Sequence, residues 1–176
     1  MYTKTLIIII LLLIIIIYIY YYNNYKNDYN IIQTFIDKID LTTVYEKYPI
    51  VIYDKIIDPN ELLNTLFAYT YVFKNVTKIR PILPTYNKSK HMIIWNSEND
   101  ILINIINPKY IKNIVWQTKN KYKISTKKLD DLNEVQYITI KLKANQVIIL
   151  PAFWIYQCND YINIIQLNDI LSCLVF

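Results

Sequence analysis

Few residues in this chain could carry chemistry. Its 176 residues include one histidine, His91, two cysteines, Cys158 and Cys173, and no glycine. A serine or cysteine nucleophile needs a neighbouring base, and a glycine-rich phosphate loop cannot form without glycine. The cysteines could face each other on neighbouring strands or remain two buried thiols, which leaves their pairing open. We expect no catalytic residue, no cofactor and no enzyme activity.

Charged residues give no stronger indication of a site. Asp130, Asp131 and Glu134 form a compact acidic group, and such groups are more often solvated loops than acid–base pairs. The densest basic run, residues 119–128, alternates lysine with Asn, Tyr, Ser and Thr, as an exposed loop does. The net charge of +5 is modest and scattered, so we expect no nucleic-acid partner.

An apolar segment near the N-terminus is the clearest feature of the sequence. Residues 6–22 contain only leucine, isoleucine and tyrosine. As a helix they span about 25 Å, close to the lower limit for crossing a bilayer. The tyrosines gather at one end, where their rings favour the lipid–water interface, and Lys4 marks the other end. We predict a transmembrane anchor over residues 1–24, with these membrane-anchor residues: Leu6, Ile10, Leu13, Ile17, Tyr20 and Tyr22.

A cleaved signal peptide is the main alternative to a retained anchor. Cleavage requires small residues after the apolar run, and residues 20–25 supply none. A buried core helix is disfavoured because the segment is apolar on every face. Basic residues are nearly balanced on its two sides, which leaves sidedness open with a preference for a cytoplasmic N-terminus. Two Asn-X-Ser/Thr triplets, at Asn75 and Asn87, are expected by chance in so Asn-rich a chain.

The rest of the chain divides into a linker and one domain. Residues 25–47 are a polar linker followed by the spacing of a short amphipathic helix at residues 31–39. Residues 48–176 are long enough to bury one small core. Within them, residues 48–53 are β-branched and aromatic, which predicts a buried strand at the front of the domain.

A helix is predicted directly after this strand. Asp58, Pro59 and Glu61 occupy the N-cap, first and third helical positions of a well-formed helix start. The apolar residues that follow fall on one face of the helix. We therefore expect this helix to pack on a sheet.

The later part of the chain predicts strands. Apolar runs at 91–95 and 101–106 flank a polar turn at 96–100, which predicts a β-hairpin. The remaining predicted strands, of which the last two would pair, are 135–142, 147–150, 161–167 and 170–176. Short strands with polar turns and one helix at the front favour an antiparallel barrel or jelly roll.

One stretch of the domain carries a family resemblance. Residues 140–156, with the sequence IKLKANQVIILPAFWIY, resemble a signature of JmjC-like cupin domains in which a turn leads into a strand ending on aromatic residues. Asn145 stands where the family has glycine, because a chain without glycine must place Asn or Asp at positions of positive φ. Residues 49–54 and 107–110 resemble two further family segments in the same order. With its anchor, the layout is similar to membrane-anchored cupin-like proteins of giant DNA viruses.

The resemblance implies a fold and a pocket. It implies a mainly β domain with some α structure, namely a cupin-like jelly roll, or double-stranded β-helix, with one or two flanking helices behind the transmembrane helix. It places Phe153 and Trp154 at the mouth of the barrel. Tyr156 and His91 complete the set of candidate pocket residues.

Active members of this family bind Fe(II) through two histidines and one carboxylate, together with 2-oxoglutarate. A chain with one histidine cannot form that triad. His91 is followed two positions later by Ile93 instead of an acidic residue, and Tyr156 takes the place of the second histidine. A phenol with a pKa of about 10 is a poor Fe(II) ligand at neutral pH. We expect His91 to be a solvent-facing residue at a strand start, and we expect no metal site.

Three hypotheses for the function follow. The first is a non-catalytic, membrane-anchored cupin-like protein, a structural or interaction component of a host or virion membrane, with the lipid bilayer as its partner. The second is a degenerate Fe(II)/2-oxoglutarate dioxygenase-like enzyme or a small-molecule-binding cupin, with a site built from Tyr156, His91 and nearby carboxylates. The third is a lumenal receptor or adhesion module with a tyrosine-rich surface.

Overall fold

A computed structural model describes residues 2–26, 28–68, 70–119 and 121–175. Met1, Asn27, Asn120 and Phe176, which fall in the predicted anchor, linker, basic run and last strand, lie outside the described residues. The chain begins with helix α1 (Tyr2–Asn23). Within α1, the 20-residue span Lys4–Asn23 contains an 18-residue window with a mean hydropathy of 2.8, of which 6% is buried, so this helix is long and apolar enough to cross a membrane.

The remainder of the described chain is mainly β structure. Its strands are, in chain order, β1 (Ile32–Thr34), β2 (Ile50–Ile52), β3 (Phe73–Ile79), β4 (Thr85–Tyr86), β5 (His91–Trp95), β6 (Ile101–Ile106), β7 (Trp116–Lys119), β8 (Tyr122–Ser125), β9 (Ile138–Leu142), β10 (Val147–Pro151), β11 (Ile155–Cys158) and β12 (Ile162–Asn168). The helices that accompany them are short: α2 (Leu41–Tyr45), α3 (Pro59–Leu66) and α4 (Ile170–Val175).

The strands form two six-stranded sheets. The first has the order β1-β2-β10-β5-β12-β3, and the second has the order β7-β8-β4-β11-β6-β9. β1 and β2 pair in parallel, and the other pairs are antiparallel. Ile94 and Ile164 of the first sheet share one core cluster with Ile103 and Ile105 of the second. Burial of each such side chain contributes about 1.5–3 kcal/mol, so this inter-sheet core holds the domain together.

The outer face of the first sheet is covered by α3. Asp58 accepts a hydrogen bond from the backbone N–H of Asn60, and Pro59 is the first helical residue, which confirms the predicted helix start. Leu63 and Phe67 pack against Ile93 and Ile149 in a second core cluster. β5 and β10 are therefore buried on both faces, which explains their unbroken apolar sequences.

The two ends of the sandwich differ, and we name them by position. β10 runs from Val147, which pairs with Trp95, to Pro151, which pairs with His91. The end at Pro151 and His91 faces α1 and is called the anchor end. The end with the turns at residues 96–100 and 143–146 is called the far end.

Two predicted strand arrangements are wrong. The runs at 91–95 and 101–106 are strands, but β5 belongs to the first sheet and β6 to the second, so they form no hairpin. The connection crosses between sheets because each strand contributes apolar residues to the shared core. The predicted strand at 170–176 is helix α4 over its described residues. Asp169 and Ser172 exchange hydrogen bonds at the start of α4 and favour a helix there.

Two predictions of local structure are also wrong. The predicted helix at 31–39 is the short strand β1 followed by a 3-10 turn at Ile36–Lys38. Pairing with β2 overrides the helical spacing, beginning with Ile32 N–H donating to Pro49 O at 2.9 Å. The predicted loop at 119–128 contains most of the hairpin β7–β8, although Lys121 and Lys123 are exposed as expected.

Positive φ occurs at four described residues, and only one is an asparagine. Asn145 has φ of 67°, which confirms the expectation for a chain without glycine. Lys47, Lys121 and Phe153 have φ of 65°, 71° and 73°, so the rule that Asn or Asp takes such positions is wrong for them. A bulky residue in this region is strained unless its surroundings hold it there.

Candidate functional site

Strand β10 ends in a fixed turn at the anchor end. After Pro151 the chain turns through Phe153 into β11. Asn87, which is fully buried, donates from its side chain to the carbonyls of Leu150 (3.3 Å) and Pro151 (2.9 Å). Its backbone carbonyl accepts from Phe153 N–H at 2.9 Å, and its N–H donates to Trp154 O at 3.0 Å. These hydrogen bonds hold Phe153 at its positive φ.

This turn forms the surface on which α1 lies. Ala152 and Phe153 are buried in one apolar cluster with Tyr22, and Tyr18 packs against the same cluster. Tyr22 is only 7% exposed, whereas Ile17, one turn nearer the N-terminus, is 65% exposed. The domain therefore contacts the tyrosine end of α1 and leaves its apolar length uncovered.

Lys47 binds the C-terminal end of α1. Its Nζ donates to the backbone carbonyls of Tyr21 and Asn24, the latter at 2.8 Å, and lies 3.7 Å from the centroid of the Tyr21 ring. Carbonyls at a helix C-terminus lack intrahelical partners, and a cation there also complements the helix dipole. Trp154 fixes this lysine, since its Nε1–H donates to Lys47 O at 3.1 Å. Burial lowers the pKa of Lys47.

An aspartate joins α1, α4 and β5. Asp169 accepts from Tyr18 Oη–H at 2.9 Å, from Lys90 Nζ at 2.7 Å and from Ser172 N–H at 2.7 Å. The Lys90–Asp169 ion pair is largely shielded, with side chains 9% and 23% exposed. Burial raises the pKa of Asp169, but the hydrogen bonds from Lys90 and Ser172 outweigh it, so the net pKa is lowered. Asp169 is therefore a charged link between α1 and the domain.

The linker behind α1 is fixed to the domain as well. Asn107 donates from its side chain to Lys26 O (3.0 Å) and Asp28 O (2.8 Å). Tyr48 Oη–H donates to the Asp28 carboxylate at 2.9 Å, and Tyr29 Oη–H donates to Gln136 O. These contacts define the direction in which α1 leaves the domain.

His91 lies at the start of β5, as predicted, but it is 4% exposed, so the expectation of a solvent-facing residue is wrong. Its ring lies between Tyr45 and Phe67, at centroid distances of 5.9 and 5.2 Å. Burial and the nearby charge of Lys90 lower the pKa of His91 to about 3. The ring is therefore neutral at physiological pH.

Tyr156 and Trp154 belong to the inter-sheet core. Tyr156 is fully buried, and among the described residues its hydroxyl has no hydrogen-bond partner. Burial raises the pKa of Tyr156. Its strand partner Ile105 is in the inter-sheet core, whereas His91 pairs with Leu167 of the outer cluster. Tyr156 of the second sheet thus lies between the two sheets, whereas His91 lies on the outer side of the first sheet, and the structure does not bring these two predicted pocket residues together.

The space beside His91 and Trp154 is small. Val44, Tyr45 and Lys47 also line it, and its volume is about 10 Å³, which is room for one water molecule at most. Within the described residues, no group of three or more His, Cys, Asp or Glu side chains is placed to hold a metal ion.

The other polar candidates are separate from this region. Asp130, Asp131 and Glu134 are exposed around a 3-10 turn at Leu129–Asp131, as expected of a solvated group. Cys158 is buried in β11 and Cys173 is exposed on α4, and both are free thiols. Both predicted alternatives, a facing pair of cysteines and two buried thiols, are therefore wrong.

The residues that hold the anchor were missed at the sequence level. Lys47 and Asp169 stand in no motif, and Asn87 was noted only as the start of an Asn-X-Ser triplet. Their partners are distant in sequence, so no local pattern indicates them. No protein-family model matches the chain, and no curated protein sequence matches it. Fold and site together define a two-sheet β domain with an exposed apolar helix fixed to one end.

Proposed function

We propose that this protein is a membrane-anchored, non-catalytic module that holds a cupin-like β domain at a fixed position against a bilayer. The observation that carries the proposal is the contrast along α1, which is exposed over its apolar length and fixed to the domain only at its tyrosine end. The module acts as a structural or interaction component of a host or virion membrane.

The dimensions of α1 support the membrane as its environment. The 20 residues Lys4–Asn23 span about 30 Å as a helix, the thickness of a bilayer core. Most leucines and isoleucines of α1 are exposed; for example, Leu6 is 58% exposed and Ile16 is 59% exposed. Each such side chain left in water forgoes up to about 1.5–3 kcal/mol of burial free energy, which lipid would supply.

The docked tyrosines support a retained anchor over a cleaved signal peptide. Tyr18 and Tyr22 are part of the packing of the domain, since they cover Ala152 and Phe153. Removal of α1 would expose this apolar surface and leave Asp169 without the hydrogen bond from Tyr18. A segment made to be discarded has no need of such contacts.

The cupin-like identity is part of the proposal. It is supported by the two-sheet fold, by the turn in which Asn145 takes the backbone conformation suited to glycine, and by the order of the resembling segments. The placement of Tyr156 between the two sheets and of His91 on the outer side of the first sheet supports a non-catalytic role.

Membrane extraction tests the proposal. The full chain expressed in eukaryotic cells is expected to stay in the membrane fraction during alkaline carbonate extraction. Intact-mass spectrometry should show that it retains its N-terminal segment. Ile10→Lys/Leu13→Lys should release it, because each lysine at the centre of a span costs about 2.5–3.5 kcal/mol. Leu102→Lys is the control, since Leu102 is 58% exposed on β6 outside the helix. A wild-type chain that is extracted, or that loses residues 1–24, would overturn the proposal.

A small-molecule-binding or dioxygenase-like cupin is the second candidate, and one observation favours it. Tyr156 holds a fully buried hydroxyl with no partner among the described residues, at the position of the family's second histidine. Metal analysis of the purified full chain in detergent, beside Tyr156→Phe, separates the candidates. The first proposal expects no stoichiometric metal, whereas stoichiometric Fe or Zn that is lost in Tyr156→Phe would establish the second.

A further inference from the structure

A crevice of about 590 Å³ lies between α1 and the domain at the anchor end. One wall is a single face of α1, where Ile15, Ile19 and Asn23 follow each other at four-residue spacing. Phe153 and Leu174 contribute to the opposite wall. Its size is in the range of small-molecule pockets, about 300–1,000 Å³.

Two lysines give the crevice a positive charge. Lys88 and Lys123 line it together with Tyr86, and Lys123 Nζ lies 5.7 Å from the centroid of the Tyr86 ring. In the part of the chain that the structure describes, no carboxylate lies within ion-pair distance of either lysine. Lys90, by contrast, is paired with Asp169. The crevice thus combines apolar walls with two cations that have no anionic partner among the described residues.

The crevice lies across the boundary of the membrane. From Ile15 to Asn23 the helix rises about 12 Å, and the tyrosines between them mark the lipid–water interface. α4 lies beside α1 and exposes Ile170 (60%) and Leu174 (72%) on its surface. One end of the crevice is therefore at the level of acyl chains and the other at the level of headgroups.

We infer that this crevice binds one anionic phospholipid. Its acyl chain lies against Ile15, Ile19 and Leu174, and its phosphate is bound by Lys88 and Lys123. The inference rests on the proposed membrane anchor, because only insertion of α1 brings lipid to this level. A second copy of α1 is a poorer occupant, since that helix contains no acidic residue to pair with the lysines.

Lipid retention by the full-length protein tests this inference. The chain is reconstituted into vesicles of phosphatidylcholine with 10% phosphatidylglycerol, then released into detergent, and its bound lipids are counted by native mass spectrometry. Each lysine near an anionic surface contributes about a fivefold factor, so Lys88→Ala/Lys123→Ala should lower phosphatidylglycerol retention by roughly 25-fold. Lys55→Ala/Lys143→Ala removes the same charge from exposed lysines at the far end and should retain wild-type preference.

Each result supports or overturns the inference. Equal retention in Lys88→Ala/Lys123→Ala and the wild type, or equal loss in both double variants, would overturn it, because the crevice would then make no specific contribution. Glycerophosphate added at millimolar concentration should not displace the lipid, and displacement would mean that the site binds free phosphate. A chain that inserts but shows no headgroup preference refutes only the lipid site, whereas a chain that fails to insert refutes the anchor itself.

The lipid site also specifies which side of the membrane holds the domain. Anionic phospholipids are concentrated in the cytoplasmic leaflet. The site therefore requires a cytoplasmic domain, which is opposite to the preference drawn from the residues flanking α1. Protease added outside sealed microsomes should degrade the domain, and full protection would contradict the inference.

Discussion

The two ends of strand β10 carry the same backbone device and use it differently. At the far end Asn145 has φ of 67°, and at the anchor end Phe153 has φ of 73°. The far turn is closed through backbone groups: Asn145 N–H donates to Asn96 O and Asn145 O accepts from Ile56 N–H, both at 2.8 Å, and Ala144 N–H donates to the exposed Asp100 carboxylate at 3.1 Å. The anchor turn bears an aromatic side chain that contacts another element, α1.

The surroundings of the two turns differ in their charge. The anchor end buries the ionisable groups His91 and Lys90 and half-buries Asp169. The far end relies mainly on amides, and its charged groups, the ion-paired Lys141 and Asp100, are exposed. A buried charge is costly unless it is well paired. The buried charges of the anchor end make the contacts that hold α1, whereas the far end only closes the sandwich.

Acid should destabilise the anchor end most, and this is the largest expected effect. Burial holds the pKa of His91 at about 3, against an ordinary value of 6.5. The neutral ring is the folded form, so its full contribution is present above pH 6.5 and is lost as pH falls toward 3. The free energy of unfolding should fall by up to about 5 kcal/mol over that window, at about 1.4 kcal/mol per pH unit. Urea unfolding of the full chain in detergent at pH 7, 5.5 and 4.5 covers the upper two pH units of this window, where the expected fall is about 3 kcal/mol.

His91→Phe is the control for this titration. Phenylalanine keeps a ring between Tyr45 and Phe67 but cannot take a proton, so its stability should change much less between pH 7 and 4.5. Asp169 does not account for a change above pH 4.5. Its pKa lies below the ordinary 3.8, so its contribution to the free energy of unfolding is lost only as pH falls beneath that value. The same slope above pH 4.5 in both proteins would show that His91 is not the sensitive group.

Replacement of the buried asparagine at each end gives the second comparison. Asn87→Ala removes two hydrogen bonds to the carbonyls of Leu150 and Pro151 and one accepted from Ser89 N–H. Since Asn87 is fully buried and each unpaired buried group costs about 1–3 kcal/mol, we expect a loss of about 3 kcal/mol or more.

Asn96→Ala is the matched change at the far end. Asn96 is 7% exposed, donates to Tyr161 O at 3.0 Å and accepts from the N–H groups of Glu98 (2.9 Å) and Asn99 (3.3 Å), in a turn whose neighbours are exposed. Water can replace part of what is lost there, so we expect about 1 kcal/mol. Differential scanning of both variants in detergent measures the contrast. Equal losses at the two ends would remove the distinction between a turn that holds a helix and one that only closes the sandwich.

Local sequence patterns predicted those structural features that depend only on residues close together in the chain. The apolar helix, the helix start at Asp58, most of the apolar strands and the conformation of Asn145 follow from short patterns of residues. The partition of β5 and β6 between two sheets could not be predicted, because both read as apolar runs and the sheet that each joins depends on distant strands.

The anchor contacts were missed for a similar reason. Lys47 binds a carbonyl 26 residues away, and Asn87 binds one 64 residues away. The sequence around Lys47 looks like that of a solvated lysine, and the sequence around Asn87 looks like that of an asparagine in a turn. The burial of His91 likewise depends on Tyr45 and Phe67, which α2 and the chain after α3 bring to the start of β5.

The smallest expected effect isolates the backbone at the far turn. Asn145→Gly should change the free energy of unfolding by less than about 0.5 kcal/mol, since glycine adopts positive φ without strain and the hydrogen bonds to Asn96 and Ile56 come from the backbone. Asn145→Ala should cost about 1 kcal/mol, because alanine tolerates this conformation less well. Thermal unfolding of the two variants beside the wild type measures the difference. A large loss in Asn145→Gly would mean that the Asn145 side chain holds the far end, and that the two turns of β10 are more alike than their contacts indicate.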